Sequence, residues 1–332
     1  MFPCCRVITL FLCISSISGL VAKTYANEPG FHGELAFNTG FTSGRSQFNT
    51  DEKASPATNK ADTDTNILFF PLGELNYTTP GGKNTFYIGT AREDIALGNA
   101  HFEIGYSRNL SGRSKLSIGL IPGLFNNETW EDPYTVGSGL KRQETDQSVT
   151  AVRVKWDNIS KSNFSFETGF GIHNIDSERS GEYWNNNQTA INTGLLRRDA
   201  DVIYTKLSYR YALKPGTMVQ PAVSYSGVNA DGKAMAYDQL NLQLALFKAV
   251  GNHRLALSTN MSVAHFDTVH PIYNKTRKDK AFGFFLAHEY PNLFGYQSLS
   301  FISLLGYDES DSNITFYDEE GWLVSAGISL TF

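Results

Sequence analysis

Cysteine is nearly missing from this sequence of 332 residues: there are 3, at Cys4, Cys5 and Cys13, and none after residue 26. Beyond that point, disulfide scaffolding, thiolate catalysis and cysteine-ligated metals are excluded. Long apolar runs are also missing. No segment after residue 26 approaches the roughly 18 consecutive apolar residues of a spanning helix, which excludes a helical membrane protein. Charged residues make up only 18% and hydrophobic residues 41%, both below the globular averages of about 25% and about 45–50%. The Ala/Glu/Lys/Leu/Arg enrichment of a coiled coil is absent. No basic excess exists either, and a net charge of -5 argues against a nucleic-acid partner. Asn, Ser, Thr, 29 Gly and 13% aromatics fill the gap. These are strand and turn residues, too rich in aromatic rings for a disordered chain.

Residues 1–26 read as an export signal. Arg6 supplies a positive start, Val7 to Val21 a mostly apolar stretch, and Thr24-Tyr25-Ala26 a small-residue cleavage site. Ser15, Ser16, Ser18 and Gly19 interrupt the stretch too often for a membrane anchor. Cys13 follows Leu12 rather than a small residue, so lipoprotein processing is not expected. This divides the chain into a signal peptide, 1–26, and one domain, 27–332.

The domain alternates with period 2, the pattern of strands. Leu240, Leu242, Leu244 and Leu246 oppose Gln239, Asn241, Gln243 and Ala245. Val152, Val154 and Trp156 oppose Arg153, Lys155 and Asp157. The final segment sets Trp322, Val324, Ala326, Ile328, Leu330 and Phe332 against Ser325, Gly327, Ser329 and Thr331. One face is apolar and the other polar. In a soluble sandwich the apolar face is the core; in a membrane barrel it meets lipid. Periodicity alone does not choose between them.

The connections do. Tight turns fall at 79–84, 110–113, 158–163, 214–216, 251–252 and 291–295. Between them lie longer polar segments at roughly 42–64, 92–99, 125–147, 174–199, 227–235, 266–278 and 308–319. Short periplasmic turns alternating with long extracellular loops are the pattern of an outer-membrane barrel. The fold predicted is all-β: a transmembrane, antiparallel, up-and-down β-barrel of about 14 strands. Its weak point is Gly73, which breaks the parity between Leu72 and Leu75 and reads as a bulge after Pro71.

Aromatics gather at strand ends on the apolar face, as membrane interfaces favour. Tyr77, Tyr106, Trp156, Tyr209, Tyr211 and Tyr290 are expected at the periplasmic interface, and Tyr225, Tyr307 and Trp322 at the outer one. The terminal strand carrying Trp322, Ile328, Leu330 and Phe332 resembles the signal that outer-membrane barrels present to the barrel assembly machinery.

On these residues the chain resembles outer-membrane β-barrels of Gram-negative bacteria over 27–332, and by strand count it is most similar to the 14-stranded monomeric porins. Two segments, GFHGELAFNTGFTSGRSQFNTDEK from Gly30 to Lys53 and the stretch from Pro291 to Phe332, also resemble an uncharacterised family of proteobacterial outer-membrane barrels. That family has no assigned activity, so the resemblance implies the fold and carries over no functional residues.

Fourteen strands spaced about 4.8 Å and tilted about 40° give a backbone diameter of roughly 28 Å, wide enough for water and small solutes unless a loop folds in. The inward face is expected to carry Glu34, Glu103, Glu167 and Glu289 against Lys115, Arg153, Lys155, Lys206, Arg210 and Arg254. Their signs nearly cancel, which predicts weak ion selectivity leaning to anions.

Nothing resembles a catalytic constellation. His265, Asp267 and His270 sit at a strand end and its loop without the converging ligands a metal needs. No nucleophile accompanies the pairs His32–Glu34 and His101–Glu103. The sequence thus points to a pore for small hydrophilic solutes in the bacterial outer membrane, without cofactor, metal or enzymatic activity, and monomeric. The alternatives are a closed surface barrel and, behind it, a transporter of hydrophobic molecules. For the closed barrel, an acidic loop (Asp308, Glu309, Asp311, Asp318, Glu319, Glu320) and a basic one (Lys275, Arg277, Lys278, Lys280) could contact lipopolysaccharide. The 42–64 loop is long enough to cap the mouth.

Overall fold

The computed structural model describes residues 28–50, 61–97, 101–110, 112–123, 127–137 and 140–332. The proposed signal peptide lies outside them. The strands are β1 (Gly30–Arg45), β2 (Thr63–Thr78), β3 (Asn84–Gly89), β4 (Glu103–Asn109), β5 (Lys115–Ile121), β6 (Asn127–Trp130), β7 (Glu144–Asp157) and β8 (Phe164–Ile175). They continue as β9 (Ala200–Tyr209), β10 (Tyr211–Lys214), β11 (Thr217–Ala230), β12 (Tyr237–Val250), β13 (His253–Val269), β14 (Thr276–Pro291), β15 (Leu299–Ser312) and β16 (Glu319–Thr331). Two short helices interrupt them, α1 (Arg92–Ala96) and α2 (Glu182–Asn187).

Each strand pairs antiparallel with its neighbours, and β16 returns to β1, with Asn38 opposite Gly327. β10 continues β9 along β11, and β6 extends the β5 edge along β7. The result is a closed 14-strand up-and-down barrel. Closure gives the two terminal strands partners for backbone groups that would otherwise be exposed.

Burial tells the outside from the inside. Leu240, Leu242 and Leu244 are 48%, 59% and 51% exposed, while Asn241 and Gln243 between them are each 6% exposed. Apolar out and polar in is the inverse of a soluble sandwich and marks a wall that faces hydrocarbon. No helix of the described residues is long and apolar enough to cross a membrane; the strands do so.

Among the described residues the tight turns fall where the alternation predicts, and the longer connections alternate with them, although strands run further into these than expected: β15 reaches Ser312, β13 reaches Val269 and β7 begins at Glu144. Two local expectations fail. The β1–β2 register runs unbroken from Gly30↔Thr78 to Arg45↔Thr63, with Leu35 opposite Gly73, so there is no bulge at Gly73. Parity is conserved, and Leu68, Phe70 and Leu72 face inward instead. Of the segment expected as a loop at 92–99, the described residues 92–97 do not project outward: they enter the lumen, as described next.

Candidate functional site

The lumen is built around α1. β3, β4 and β5 have only 6, 7 and 7 residues, against 16 in β2 and 14 in β7. The β3–β4 connection therefore leaves the wall low, near the short-turn end. Gly89, at φ +131°, makes the exit possible; a Cβ there would strike the carbonyl oxygen of Gly73. The Thr90 amide then donates to that same carbonyl at 2.7 Å, and the chain turns into the barrel.

From there α1 reaches opposite walls. Arg92 Nη1 lies 2.8 Å from Glu34 on β1, and Nη2 contacts Glu289 on β14. On the other side, Asp94 is 3.5 Å from Arg153 and Glu93 is 3.9 Å from Lys155, both on β7. Leu97, 3% exposed, seats among Met218, Phe247 and Ala256 of β11, β12 and β13. Its carbonyl accepts from Ser258 Oγ at 3.2 Å. In the strand order, β3–β4 and β12–β13 stand half the ring apart, so this segment crosses the whole bore.

The charged residues expected on the inner face gather around it. Arg153 lies 2.6 Å from Glu103 and 3.7 Å from Glu167, and Tyr87 donates to Glu103. His101 stands 3.1 Å from Glu103. Lys155 is 3.7 Å from Asp157, and Lys206 Nζ donates to Gln243 at 2.8 Å. Glu103, Arg153, Lys155, Glu167, Lys206 and Glu289 are buried beneath α1 and its neighbours. Arg254 pairs with Glu289 at 3.3 Å, and Arg210 Nε donates to Gln220 at 3.3 Å. Lys115 stands at the foot of β5, opposite Asp157. Burying charge is unfavourable unless each group is paired, and the helix supplies partners from across the lumen.

The other end carries a lid. Tyr134, Leu196, Met235, Ile314, Phe316 and Tyr317 form a buried apolar cluster contributed by the long connections, with Phe48 from the β1–β2 connection packed on it. Tyr134 and Tyr317 hydroxyls lie 2.6 Å apart, and His270 Nε2 is 2.9 Å from the Tyr317 hydroxyl. Burial, helped by the Arg277 charge, pushes the His270 imidazole down to about 3, so it is neutral. Burial raises the Tyr317 hydroxyl to about 12. Asp132 accepts from the amides of Tyr134, Gly181 and Tyr183 at 3.1, 2.9 and 2.8 Å, tying two connections together. Below the lid lies a small pocket lined by Tyr237, Gln239, Arg277, Asp279, Ser310 and Glu319.

Arg277 is therefore no part of a solvated basic loop. It is on β14, salt-bridged to Asp279 at 2.6 Å and 3.5 Å above the Tyr317 ring. His265 and Asp267 are exposed while His270 is fully buried, so the three do not converge. Among the described residues no group of three or more His, Cys, Asp or Glu could hold a metal.

The aromatic side chains stand at strand ends on the outer face. Tyr77, Trp156 and Tyr211 are exposed near the short turns, where Tyr106 donates to Asn84 and the Tyr209 ring packs tilted against Phe164. Tyr290 lies near His253 there. At the far end Tyr225 donates to Asp238, and the Tyr307 and Trp322 rings are 4.3 Å apart. Ile328, Leu330 and Phe332 also point outward, and Phe332 exchanges backbone hydrogen bonds with Gly33 at 2.9 and 3.0 Å.

A family model described as "Protein of unknown function (DUF2860)" matches residues 30–331, which is the whole barrel. The chain belongs to this family. No curated protein matches it. Among solved structures it is similar to the outer membrane channel DcaP of Acinetobacter baumannii, at 9% identity and a TM-score of 0.44, covering 91% of this chain and 96% of that one. It is also similar to an anion-selective porin from Comamonas acidovorans, at 11% identity and a TM-score of 0.43, covering 92% and 100%. A loop-deletion mutant of OmpT, an outer membrane protein of Vibrio cholerae, is similar at 10% identity and a TM-score of 0.40, covering 90% and 99%. At such values these likenesses concern the architecture of this DUF2860 barrel alone.

Proposed function

We propose that this DUF2860 protein is a non-catalytic outer-membrane channel that passes small hydrophilic solutes along a bore held narrow by α1. The observation that carries this reading is the crossing of the lumen by one short segment whose first turn sets opposed charges against opposite walls: Arg92 against Glu34 and Glu289, Glu93 and Asp94 against Lys155 and Arg153. Opposed charges at a constriction select solutes by size and polarity. The inner wall above it is lined with Asn, Gln and Ser side chains such as Asn241, Gln243 and Ser262, which suit hydrated solutes. With both signs present, selectivity is weak and leans to anions.

The same reading assigns the rest of the molecule. Residues 1–26 direct export and are removed. Trp322, Ile328, Leu330 and Phe332 serve recognition by the assembly machinery. The barrel works as a monomer among outer-membrane lipid and lipopolysaccharide. The test is single-channel recording of the refolded mature protein in a planar bilayer under a salt gradient, alongside a variant in which 91–101 is replaced by a short Gly-Ser linker. Small steps in the parent and several-fold larger steps in the variant support the channel. If both stay electrically silent while folded, the channel reading fails in favour of a closed surface barrel.

A further inference from the structure

The two ends of the barrel differ in charge. No Asp or Glu falls in any of the six tight turns, which instead carry Lys83, Arg113, Lys161 and Lys214. Each of the seven longer connections contains at least one acidic residue. A chain that is acidic overall thus ends in a basic rim on its short-turn side, level with the headgroups of the periplasmic leaflet.

The rim is densest on the outer face of β10–β14. Lys214 stands opposite Thr217, Thr217 opposite Lys248, Lys248 opposite Leu255, and Leu255 opposite His288. Cross-strand partners share a face of the sheet, so Lys214, Lys248 and His288 lie on one row across five strands. That face is the lipid-facing one, because Lys248 continues the even-numbered series of Leu242 and Leu244 on β12. Both lysines are exposed, as are Tyr211, Leu213 and Val250 around them. A lysine at this level rests its stem on apolar surface and reaches its ammonium group to the headgroups.

The histidine is held in place. His288 Nδ1 is 3.2 Å from Ser303 Oγ, and its Nε2 is 2.9 Å from His253 Nδ1. The two imidazole rings stack with centroids 5.2 Å apart. Both ring nitrogens of His288 are thereby engaged. His253 is exposed, and its Nε2 has no partner among the described residues. An N–H there can donate to a phosphate oxygen, as can both lysines.

The charges select the occupant. Two ammonium groups beside a histidine pair attract a phosphate diester. A zwitterionic headgroup brings an ammonium of its own, for which the turns offer no carboxylate. An anionic headgroup such as phosphatidylglycerol brings only hydroxyls.

We propose that the outer edge of β10–β14 binds an anionic phospholipid of the periplasmic leaflet. Its phosphate is held by Lys214, Lys248 and His253, and its acyl chains lie against Tyr211 and Val250. The site lies outside the bore and does not depend on conduction.

Cysteine is absent after residue 26, so a single label reports one place. Val250→Cys at the rim and Leu242→Cys at mid-strand, both in the mature protein, carry bimane in phosphatidylcholine vesicles. Folding is checked by heat-modifiable gel migration, and Leu213→Cys replaces Val250→Cys if that variant does not fold. Phosphatidylglycerol and phosphatidylcholine, each doxyl-labelled near the headgroup, are compared as quenchers at equal mole fraction. The site requires at least twofold stronger quenching by phosphatidylglycerol at 250 and equal quenching at 242. The preference must vanish in the Lys214→Gln/Lys248→Gln double variant and survive Lys280→Gln, which removes a charge near the other end of β14. Equal quenching at 250 overturns the proposal, and so does a preference that the double variant keeps or that Lys280→Gln abolishes. Doxyl-labelled phosphatidylethanolamine that quenches as strongly as phosphatidylglycerol overturns the anionic selectivity. A rim that ignores lipid but sediments with cell-wall sacculi in detergent belongs to an acidic polymer, which overturns the lipid site.

Discussion

Arg92 and Glu34 meet at 2.8 Å inside the barrel, although one belongs to the helix leaving β3 and the other to β1. Glu289 shares the same guanidinium from β14. Removing the arginine leaves two carboxylates facing each other across a narrow space. Arg92→Ala is expected to cost about 1.5–3 kcal/mol, the range for hydrogen bonds to charged groups, and to unseat the N-terminal end of α1. A lowered urea midpoint together with larger, noisier single-channel currents would show both effects; unchanged currents would mean that α1 holds without this anchor.

Leu97 is the apolar anchor at the other end of the crossing. Its seat on Met218, Phe247 and Ala256 is buried, so Leu97→Ala is expected to cost about 2–5 kcal/mol, as buried Leu-to-Ala changes do. The loss is local to α1. Limited proteolysis from the short-turn side should cut the 91–101 segment faster than in the parent while the barrel stays intact.

Acid should loosen the lid. His270 is held neutral, with its imidazole lowered to about 3, whereas an unfolded histidine titrates near 6.5. The lid segment therefore takes up a proton only on opening. Its stability is complete above about pH 6.5 and is lost progressively as pH falls toward 3. Protease susceptibility of the long connections should rise across that window. His270→Gln, which keeps a hydrogen-bonding side chain but does not titrate, should flatten the response; an acid response of equal size in the variant would assign the effect to another group.

Gly89 sets where the wall stops. With φ at +131° and the Gly73 carbonyl against the missing Cβ, Gly89→Ala forces the β3 end to move. Refolding yield should fall, and in the folded fraction α1 should be cleaved more readily. A variant as stable as the parent would mean that the β3–β4 connection can leave the sheet by another path.

Much of this architecture was legible in the sequence because lipid imposes a strict period of 2. Leu240 to Leu246 or Trp322 to Phe332 admit no other reading once the turns are placed. The lumen was harder. Alternation says which side chains face inward but not which of them meet, so Glu34 and Glu289 could be read as inner-wall charges without any hint that Arg92 joins them. A segment as short as α1, 5 residues long, has no periodicity to detect. One signal was present: Asn84–Gly89 and Glu103–Asn109 are shorter than the roughly 9–11 residues that a spanning strand needs. A wall that low implies that its connection starts inside. The expected bulge at Gly73 had a related cause. It assumed that inward residues are polar, and Leu68, Phe70 and Leu72 are the place where that rule is suspended.

The crossing of the bore by α1 also has a mechanical meaning. A ring of strands with a low sector at β3–β5 is weakest there, and lateral pressure from the bilayer would flatten it into an ellipse. A segment fastened to β1 and β14, to β7, and to β11–β13 acts as a spoke, keeping the ring round. What narrows the passage is thereby also what keeps the cylinder from buckling, so a variant that widens one should soften the other.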